Sequence, residues 1–298
     1  MNPGDANKWQ AEVLEHILLA LASSKDLKNV LVYKGALILN RRLGTDRMSL
    51  DIDSNLVQDF VLVFPEKKQQ ADFLEKVLNS AISKYFNRQD PVRFELSTIK
   101  IKNSPPKIDH PLGWDAFSIK INVTDFQNIH VWNLPALSID VAAPESLSKN
   151  SVSDIDLGGH VVSAYTLERL AGEKMRAFLS TLPTYRAKVK KPGEEIRVKD
   201  LYDLARIQRV KPIHDNLFWE MAGEEFKMAC ASRYLDCEGL VTFKEDWENT
   251  RSLYETNRTL PNDVKFDEVD NVITDIIAFF SVRQITPFVF PLPLYFNG

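Results

Sequence analysis

In Arg47-Met48-Ser49-Leu50-Asp51-Ile52-Asp53, polar and apolar side chains alternate along the chain. Successive side chains of a β-strand point to opposite faces of a sheet, so this alternation predicts a strand over residues 48–56. The face directed at a core would carry Met48, Leu50 and Ile52. The other face would carry Arg47, Ser49, Asp51 and Asp53. The sequence therefore predicts two carboxylates close together on an accessible face of a sheet.

The pair Asp51 and Asp53 has two interpretations. Like charges this close repel one another, and a divalent cation such as Mg²⁺ removes the repulsion by taking one or two carboxylates as ligands while keeping positions open for phosphate. A one-sided antiparallel strand with a solvated polar face produces the same alternation without any metal. The motif by itself leaves both interpretations open.

Lys34-Gly35 is a second motif of the first half. It follows the apolar run 30–33, predicted as a buried strand, and it precedes a short helix predicted over 37–42. In such a strand-to-helix turn, backbone N–H groups and the N-terminus of the helix can cradle a phosphate. The alternative is an ordinary glycine turn with no ligand.

Asp140 lies in a further strand pattern, 137–141, on the face opposite to Ile139 and Val141. A carboxylate in this position can join Asp51 and Asp53 as a third metal ligand. It can equally be a strand-end aspartate before the turn that contains Pro144.

The second half contains a lysine in an apolar setting. Helical periodicity over 166–182 places Lys174 on the apolar stripe, where an ammonium without an anion is costly. Its stem either extends to solvent or presents the charge to a cleft that holds phosphate or carboxylate. The next predicted helix, 200–210, opens with Asp200 and Asp203, for which an N-cap and a favourable charge in the first turn are the structural alternatives.

The hydrophobic pattern changes near Pro144 and predicts two domains. Residues 1–145 are predicted as an α+β domain built around one sheet, and residues 146–298 as a helical domain. The first domain shows helical periods over 8–24 and 73–85 and β-like runs over 94–101, 116–123, 129–132 and 137–141. The second domain shows helical periods over 166–182, 200–210, 214–235 and 267–280.

Two segments of the second domain lack a helical period. Residues 183–197 are predicted to form a basic loop, and its charged and turn-forming residues are Arg186, Lys188, Lys190, Lys191, Pro192 and Gly193. Residues 287–296 form an apolar tail rich in proline and phenylalanine, which cannot be a helix and is too apolar to remain in water. We expect the tail to pack across its own helical domain or against a partner.

Composition limits the class of protein. With 37 basic and 41 acidic side chains the formal net charge is −4, so the chain is not a globally basic nucleic-acid binder. Hydrophobic residues make up 44%, which excludes wholesale disorder. Two cysteines are too few for a disulfide framework, the start lacks the features of a signal peptide, and no apolar run is long enough to cross a bilayer. These features predict a cytoplasmic protein with no membrane partner.

In their order along the chain, these motifs resemble those of the AbiEii/AbiGii-type nucleotidyltransferases, the toxin components of type IV toxin–antitoxin and phage abortive-infection systems. The resemblance covers the chain from about Leu31 to Ile207. It is carried by Lys34-Gly35, Arg47-x-Ser49-x-Asp51-x-Asp53, Asp140, Lys174 and Lys199-Asp200-x-x-Asp203. The chain departs from the family at Ala36, where a second glycine followed by threonine, or a serine, is usual, so a hydroxyl that can contact phosphate is missing.

The resemblance implies a polymerase-β-like nucleotidyltransferase fold, in which a mixed sheet with flanking helices is followed by an α-helical C-terminal domain and a nucleoside triphosphate binds between them. It implies that Mg²⁺ or Mn²⁺ is held by Asp51, Asp53 and Asp140. Lys174 would hold the triphosphate, and Asp200 would complete the catalytic site. The substrate-binding positions implied by the resemblance are Lys34, Gly35, Arg47, Ser49, Arg197 and Asp203.

The implied reaction is attack of a hydroxyl on the α-phosphorus of the triphosphate, with pyrophosphate leaving. Because related toxins extend tRNA 3′ ends, the resemblance implies an RNA acceptor, a basic surface for it at residues 186–191, and a cognate antitoxin as a protein partner. Two other functions stay open. One is a nucleotidyltransferase for a small molecule of the antibiotic type, and the other is a catalytically degenerate nucleotidyltransferase fold that acts as a binding module.

Overall fold

The computed structural model describes residues 3–45, 47–106, 116–131, 133–191 and 195–293. The chain divides into two compact units. The sheet unit comprises residues 1–41, 48–145 and 152–165, and the helical unit comprises residues 42–47, 146–151 and 166–298. The first unit consists of one sheet with helices packed against it, which confirms the predicted α+β class.

Within the described residues of the sheet unit, seven strands form one mixed sheet in the order β3-β4-β5-β2-β1-β7-β6. The strands are β1 (Leu31–Lys34), β2 (Asp51–Leu56), β3 (Phe94–Ser104), β4 (Ala116–Asp125), β5 (Leu137–Ala142), β6 (Val152–Leu157) and β7 (His160–Tyr165). Strands β2 and β5 are parallel, as are β1 and β7, and all other neighbours are antiparallel. The middle of the sheet is therefore partly parallel, and β3 and β6 are its edges.

One face of this sheet is covered by two long helices, α1 (Pro3–Ala22) and α4 (Lys67–Phe86). Burial alternates along β5, where Leu137, Ile139 and Val141 are almost fully buried and the residues between them are not. This is the pattern of a strand with one face against a core and the other face polar. Two shorter helices complete the unit, α2 (Gly35–Leu43), whose last two residues belong to the helical unit, and α3 (Gln58–Val63).

The hairpin formed by β6 and β7 corrects the predicted organisation, which placed residues 146–298 in a helical domain. Strand β7 joins the sheet through a parallel pair between Tyr33 and Ala164. Gly158 and Gly159 form its turn with φ of 62° and 83°, values that favour glycine. Half of the six residues of β6 are polar and only Leu157 is buried, so its hydrophobic pattern did not mark it as a strand.

One other strand prediction is wrong over the residues that the structure describes. Residues 129–131 of the predicted run 129–132 form a turn, in which the N–H of Val131 donates to the carbonyl of Asn128. Ile129 is 72% exposed, so its side chain does not belong to a core. Trp132, the last residue of that predicted run, lies outside the described residues.

The helical unit is built from α5 (Leu167–Leu179), α6 (Pro183–Lys188), α7 (Val198–Val210), α8 (Asn216–Ala231), α9 (Leu240–Phe243), α10 (Trp247–Thr256) and α11 (Phe266–Val282). Helix α5 packs against α7 and α8, and α11 packs against α7, α8, α9 and α10. At the crossing of α5 and α8, Gly172 lies so close to the backbone of Glu225 and Phe226 that a Cβ would overlap it. None of the helices in the described ranges has the length and apolarity needed to span a membrane.

Helix α5 is fixed at its start by two interactions. The hydroxyl of Thr166 caps the helix by accepting from the N–H of Arg169 at 3.3 Å. The guanidinium of Arg169 is buried and lies 3.1 Å from a carboxylate oxygen of Glu225 on α8, while the hydroxyls of Ser148 and Ser151 donate to the other oxygen of Glu225. Both carboxylate oxygens of Glu225 therefore have partners. Because a buried ion pair with these hydrogen bonds has a defined geometry, it fixes the position of α5 along α8.

The predicted basic loop 183–197 is wrong in its first part. Residues 183–188 form helix α6, which starts at Pro183, a favourable first helical residue, and buries Tyr185. A helix of fewer than two turns is too short to show a hydrophobic period, which is why the sequence pattern missed it. Pro192 and Gly193 of the predicted loop lie outside the described residues.

The apolar tail packs on its own helical unit. Phe288 and Cys237 exchange two backbone hydrogen bonds of 3.0 and 2.9 Å, and the ring of Phe288 lies 5.5 Å from that of Phe226. Asp236 accepts a 2.7 Å hydrogen bond from the N–H of Phe290. The first of the two sites expected for the tail is therefore confirmed at Phe288 and Phe290, and residues 294–296 lie outside the described ranges.

We predict that Phe288→Ala lowers the free energy of unfolding by about 3 kcal/mol, because it removes a buried ring from the core of the helical unit. Phe288 is 7% exposed, whereas the neighbouring Val289 is 66% exposed. Urea unfolding of the two variants measures the difference, with Val289→Ala as the control that stays within about 0.5 kcal/mol of the parent. Equal losses in both variants would contradict the packing of the tail.

Candidate active site

Three aspartates converge on the polar face of the sheet because of the register between β2 and β5. Asp53 lies directly opposite Asp140 in the parallel ladder, and Asp51 precedes Asp53 by two residues on the same face. One carboxylate oxygen from each of the three lies within 4.8 Å of the others. The grouping of Asp51, Asp53 and Asp140 is the arrangement expected from the sequence if the two strands that carry them are neighbours.

The electrostatics of these aspartates fit a divalent cation. Burial raises the pKa of Asp140, and the nearby charge of Asp51 raises it further, against the lowering effects of Ser118, Lys120 and Lys34. Three oxygen ligands that repel one another form a hard anionic donor set, which suits Mg²⁺ or Mn²⁺ rather than a metal that prefers sulfur or imidazole. The residues present therefore fit the metal that the sequence resemblance implied.

Gly35 shapes this carboxylate cluster. It follows β1 directly, with φ of 76°, and a Cβ at this position would overlap the carboxylate of Asp53. Glycine is therefore required both by the backbone conformation and by the close approach of the Asp53 side chain. The motif Lys34-Gly35 marks a turn that leaves room for the second aspartate.

Lys34 is held beside the carboxylates by a chain of hydrogen bonds. It lies opposite Asp53 in the ladder between β1 and β2, and its Nζ is 3.3 Å from Glu145. The other oxygen of Glu145 accepts from the hydroxyl of Tyr165 at 3.1 Å, and that hydroxyl accepts from Asn55 at 2.7 Å. The side chains of Lys34 and Glu145 are 16% and 8% exposed, so the ammonium is oriented but remains accessible.

The predicted common face of Arg47, Ser49, Asp51 and Asp53 needs correction. Strand β2 begins only at Asp51, because the ladder with β5 starts there, and Met48 is 42% exposed instead of buried. Ser49 still adjoins the cluster, since its hydroxyl donates to a carboxylate oxygen of Asp51 at 3.0 Å. Arg47 belongs to the helical unit and is not on this strand face.

The other predicted site residues form an ion cluster inside the helical unit. Lys174 on α5 lies 2.9 Å from Asp200 and 2.8 Å from Asp203, both on α7. Arg47 pairs with Asp203 through Nε at 2.9 Å and Nη2 at 3.0 Å. Arg197 donates to the second oxygen of Asp200 at 2.6 Å.

These contacts decide between the alternatives left open by the sequence. Lys174 is 8% exposed, so its stem does not extend to solvent, and its partners are carboxylates of its own unit. Asp200 is the third residue of α7, and Arg197 occupies the N-cap position, so the capping interpretation of Asp200 is wrong. The roles of these residues in binding a substrate remain predictions.

The pKa values follow from these contacts. Burial raises the pKa of Asp200, but the charges of Lys174 and Arg197 outweigh it and lower the pKa from 3.8 to about 2. Burial alone would lower the pKa of Lys174, yet the attraction of Asp200 and Asp203 raises it. Both groups therefore stay charged at neutral pH despite being buried.

Sequence patterns missed two groups of residues around the aspartates. Ser118 and Lys120 lie on the polar face of β4, opposite Asp140 and Ser138 respectively, and Ser118 hydrogen-bonds to Asp140. The alternation of β4 was recognisable, but its position next to β5 was not. Glu145, the partner of Lys34, follows Pro144 in an irregular segment, where no local pattern marks it.

We predict that Gly35→Ala weakens Mn²⁺ binding by about 10-fold to 100-fold, because the added methyl group displaces the Asp53 carboxylate. The control is Gly159→Ala, which introduces a side chain at a similarly positive φ of 83° but with no atom within 4 Å of the new Cβ. Titration calorimetry with Mn²⁺ measures both variants. An equal loss in both would show that backbone strain, and not the contact with Asp53, is responsible.

We predict that Asp200→Asn lowers the free energy of unfolding by about 2 kcal/mol at pH 7. Because the folded pKa of Asp200 is about 2 and lies below its ordinary value of 3.8, this stabilisation is present above about pH 4 and is lost as the pH falls toward 2. Urea unfolding of parent and variant across that range should therefore give converging curves. Asp275→Asn, at an exposed position of α11, is the control, and a difference that is independent of pH would contradict the assignment.

Two solved structures share the fold at low sequence identity. JHP933 from Helicobacter pylori aligns with a TM-score of 0.52 and 14% identity, covering 93% of this chain and 92% of that one. A proposed nucleotidyltransferase from the same species aligns with a TM-score of 0.50 and 16% identity, covering 97% of this chain and 100% of that one. These neighbours support the predicted nucleotidyltransferase fold.

A family model also matches the sequence. Its description is nucleotidyl transferase AbiEii toxin, type IV toxin–antitoxin system, and it matches residues 16–275. No curated protein sequence gives a significant match. The matched range contains the aspartate cluster of the sheet unit and the ion cluster around Lys174, and it covers most of the chain. The chain therefore belongs to the AbiEii family of nucleotidyltransferase toxins.

Proposed function

We propose that this nucleotidyltransferase uses Mg²⁺ or Mn²⁺ to transfer a nucleoside monophosphate from a nucleoside triphosphate to RNA, with a tRNA 3′ end as the acceptor. The observation that carries the proposal is the convergence of Asp51, Asp53 and Asp140, with oxygens within 4.8 Å of one another. We further propose that the protein acts in the cytoplasm and is opposed by a cognate antitoxin, as its family suggests.

The reaction forms one bond and breaks one bond. An acceptor hydroxyl oxygen bonds to the α-phosphorus, the bond from that phosphorus to the oxygen bridging to the β-phosphorus breaks, pyrophosphate leaves, and the hydroxyl proton passes to solvent. A bound divalent cation would supply a Lewis acid for the phosphate oxygens and the attacking oxygen. Asp51, Asp53 and Asp140 would hold that cation, and the hydroxyl of Ser49 orients Asp51 for this purpose.

We propose that Lys34 and the turn at Gly35 bind the triphosphate in the sheet unit. The ammonium of Lys34 is oriented by Glu145 and stays accessible. The first N–H groups of a helix have no acceptor within the helix, so the start of α2 offers backbone donors to a phosphate. Because Ala36 lacks a hydroxyl, these donors and Lys34 would have to supply the contact without side-chain help from that position.

The ion cluster of the helical unit supports a second phosphate contact. Three cationic side chains, Lys174, Arg47 and Arg197, share two carboxylates, Asp200 and Asp203, so these five groups together carry a net positive charge. Arg197 is the most accessible of the three cations, with 56% of its side chain exposed. We propose that Lys174 and Arg197 contribute to triphosphate binding and that Asp200 and Asp203 keep both cations in place.

We predict that Asp51→Asn reduces transfer by at least about 100-fold, because it removes one of the charged metal ligands. The assay incubates the purified protein, Mg²⁺ and total RNA with each radiolabelled nucleoside triphosphate in turn and identifies the labelled product. Asp72→Asn, an exposed position on α4, is the matched control and should retain full activity.

The same assay tests the alternatives. Label that appears only on small molecules would favour a nucleotidyltransferase of the antibiotic type. Growth inhibition that is equal for the parent and for Asp51→Asn would contradict a catalytic toxin and would favour a binding module. Label on RNA that disappears with Asp51→Asn is the result we expect.

A further inference from the structure

Three lysines share the polar face of the sheet with the aspartate cluster. Lys100 and Lys102 lie on β3, and Lys120 lies on β4, and all three are exposed. In the ladder between β3 and β4, Lys100 is directly opposite Lys120, and Lys102 is opposite Ser118. We call Lys100, Lys102 and Lys120 the lysine strip.

The strip lies close to the aspartates. Lys120 is opposite Ser138, and Ser118 is opposite Asp140, on neighbouring strands of the same ladder. With strands about 4.8 Å apart and alternate residues about 6.6 Å apart, the Cα atoms of the strip lie roughly 8 to 12 Å from that of Asp140. The strip therefore extends from the aspartate cluster across β4 to β3, the edge strand.

The three lysines of the strip form no direct ion pair within the described part of the chain. Like charges placed directly opposite one another destabilise an antiparallel pair, yet Lys100 faces Lys120. No carboxylate of the described residues forms an ion pair with any of the three lysines, and the Nζ of Lys120 donates to the neutral hydroxyl of Ser138 at 2.9 Å. A concentration of unpaired cations in a chain of net charge −4 indicates an anionic ligand at this place.

We infer that the lysine strip binds the phosphate backbone of the nucleic-acid acceptor beside the aspartate cluster. An acceptor has to bring its hydroxyl to the cluster, and the strip lies on the same face and begins one strand away from Asp140. Lysines contact phosphates as point charges, without reading bases, so the strip positions the strand independently of its sequence. This inference rests on the proposed function and names the surface that the acceptor uses.

The strip replaces the basic segment 186–191 as the acceptor surface that the structure favours. Lys188 of that segment is already engaged, since its ammonium is 2.7 Å from Asp236 and 2.8 Å from the carbonyl of Phe290. The lysines of the strip carry no such pairs among the described residues. Their charge remains available to phosphates.

The test is the triple variant Lys100→Gln, Lys102→Gln, Lys120→Gln of the full chain. Binding of a short fluorescein-labelled single-stranded oligoribonucleotide, with Mg²⁺ and without nucleotide, is followed by fluorescence anisotropy at several salt concentrations. We expect affinity at low salt to fall about tenfold or more, and the slope of log affinity against log salt to decrease by about 2, since each lost phosphate contact removes about 0.7. A matching oligodeoxyribonucleotide shows whether the sugar matters.

The matched control changes the same number of charges on α4, at the exposed residues Lys68, Lys76 and Lys84. Helix α4 packs on the opposite face of the sheet, where Lys67 lies over the ring of Phe117. The control should bind the oligoribonucleotide as the parent does. Unchanged binding by the strip variant, or equal weakening in both variants, would overturn the inference, as would binding of polyglutamate as tight as that of the oligoribonucleotide.

A second measurement separates this inference from the proposed function. Mg²⁺-dependent binding of a fluorescent nucleoside triphosphate should be weakened in Asp51→Asn and unchanged in the double variant Lys100→Gln, Lys102→Gln, which keeps Lys120 on the strand next to Asp140. If Asp51→Asn retained transfer while the strip variant lost oligoribonucleotide binding, the proposed catalytic site would be wrong and the strip would stand. If transfer depended on Asp51 but the strip variant bound the oligoribonucleotide normally, only the strip would be wrong.

Discussion

The parallel pairing of β2 with β5 is the constraint on which the site depends, because it sets Asp53 directly opposite Asp140. Two carboxylates whose oxygens lie within 4.8 Å of one another repel by roughly 3 kcal/mol at the effective dielectric of a protein surface. The opposite faces of the same strands bury Ile52, Ile139 and Val141, and each buried side chain contributes about 1.5 to 3 kcal/mol. Apolar burial on one face thus holds together charges that would otherwise separate, and the repulsion is left for a cation to relieve.

In the helical unit, buried charges of opposite sign are paired with one another, unlike the aspartates of the sheet unit. Lys174 is surrounded by opposite charges from α7, so its ammonium is compensated within the unit and needs no ligand to stay charged. Removing one partner of such a buried pair leaves the other charge without compensation, so each carboxylate of the cluster is expected to be costly to replace. The sheet unit thus brings like charges together at its aspartate cluster, whereas the helical unit pairs opposite charges around Lys174.

The overall charge of the chain conceals this local separation. A net charge of −4 argues against a globally basic nucleic-acid binder, and the lysine strip is instead a local concentration of positive charge on one face of the sheet. The strip and the aspartates occupy one face because side chains two apart on a strand point the same way. A short electrostatic gradient then runs across the strands, from the lysine strip to the aspartate cluster.

The sequence by itself determined what depends on local periods: the two aspartates on one strand face, the glycine turn after a buried strand, and the lysine on an apolar helix stripe. Only the tertiary structure decided which strands are neighbours and which charges meet. The hairpin β6–β7 belongs to the sheet although its sequence was not predicted as strands, and the carboxylates that pair with Lys174 lie on another helix. The reason is that strand order and helix packing are set by contacts between residues far apart in the chain, which leave no periodic signal in any single segment.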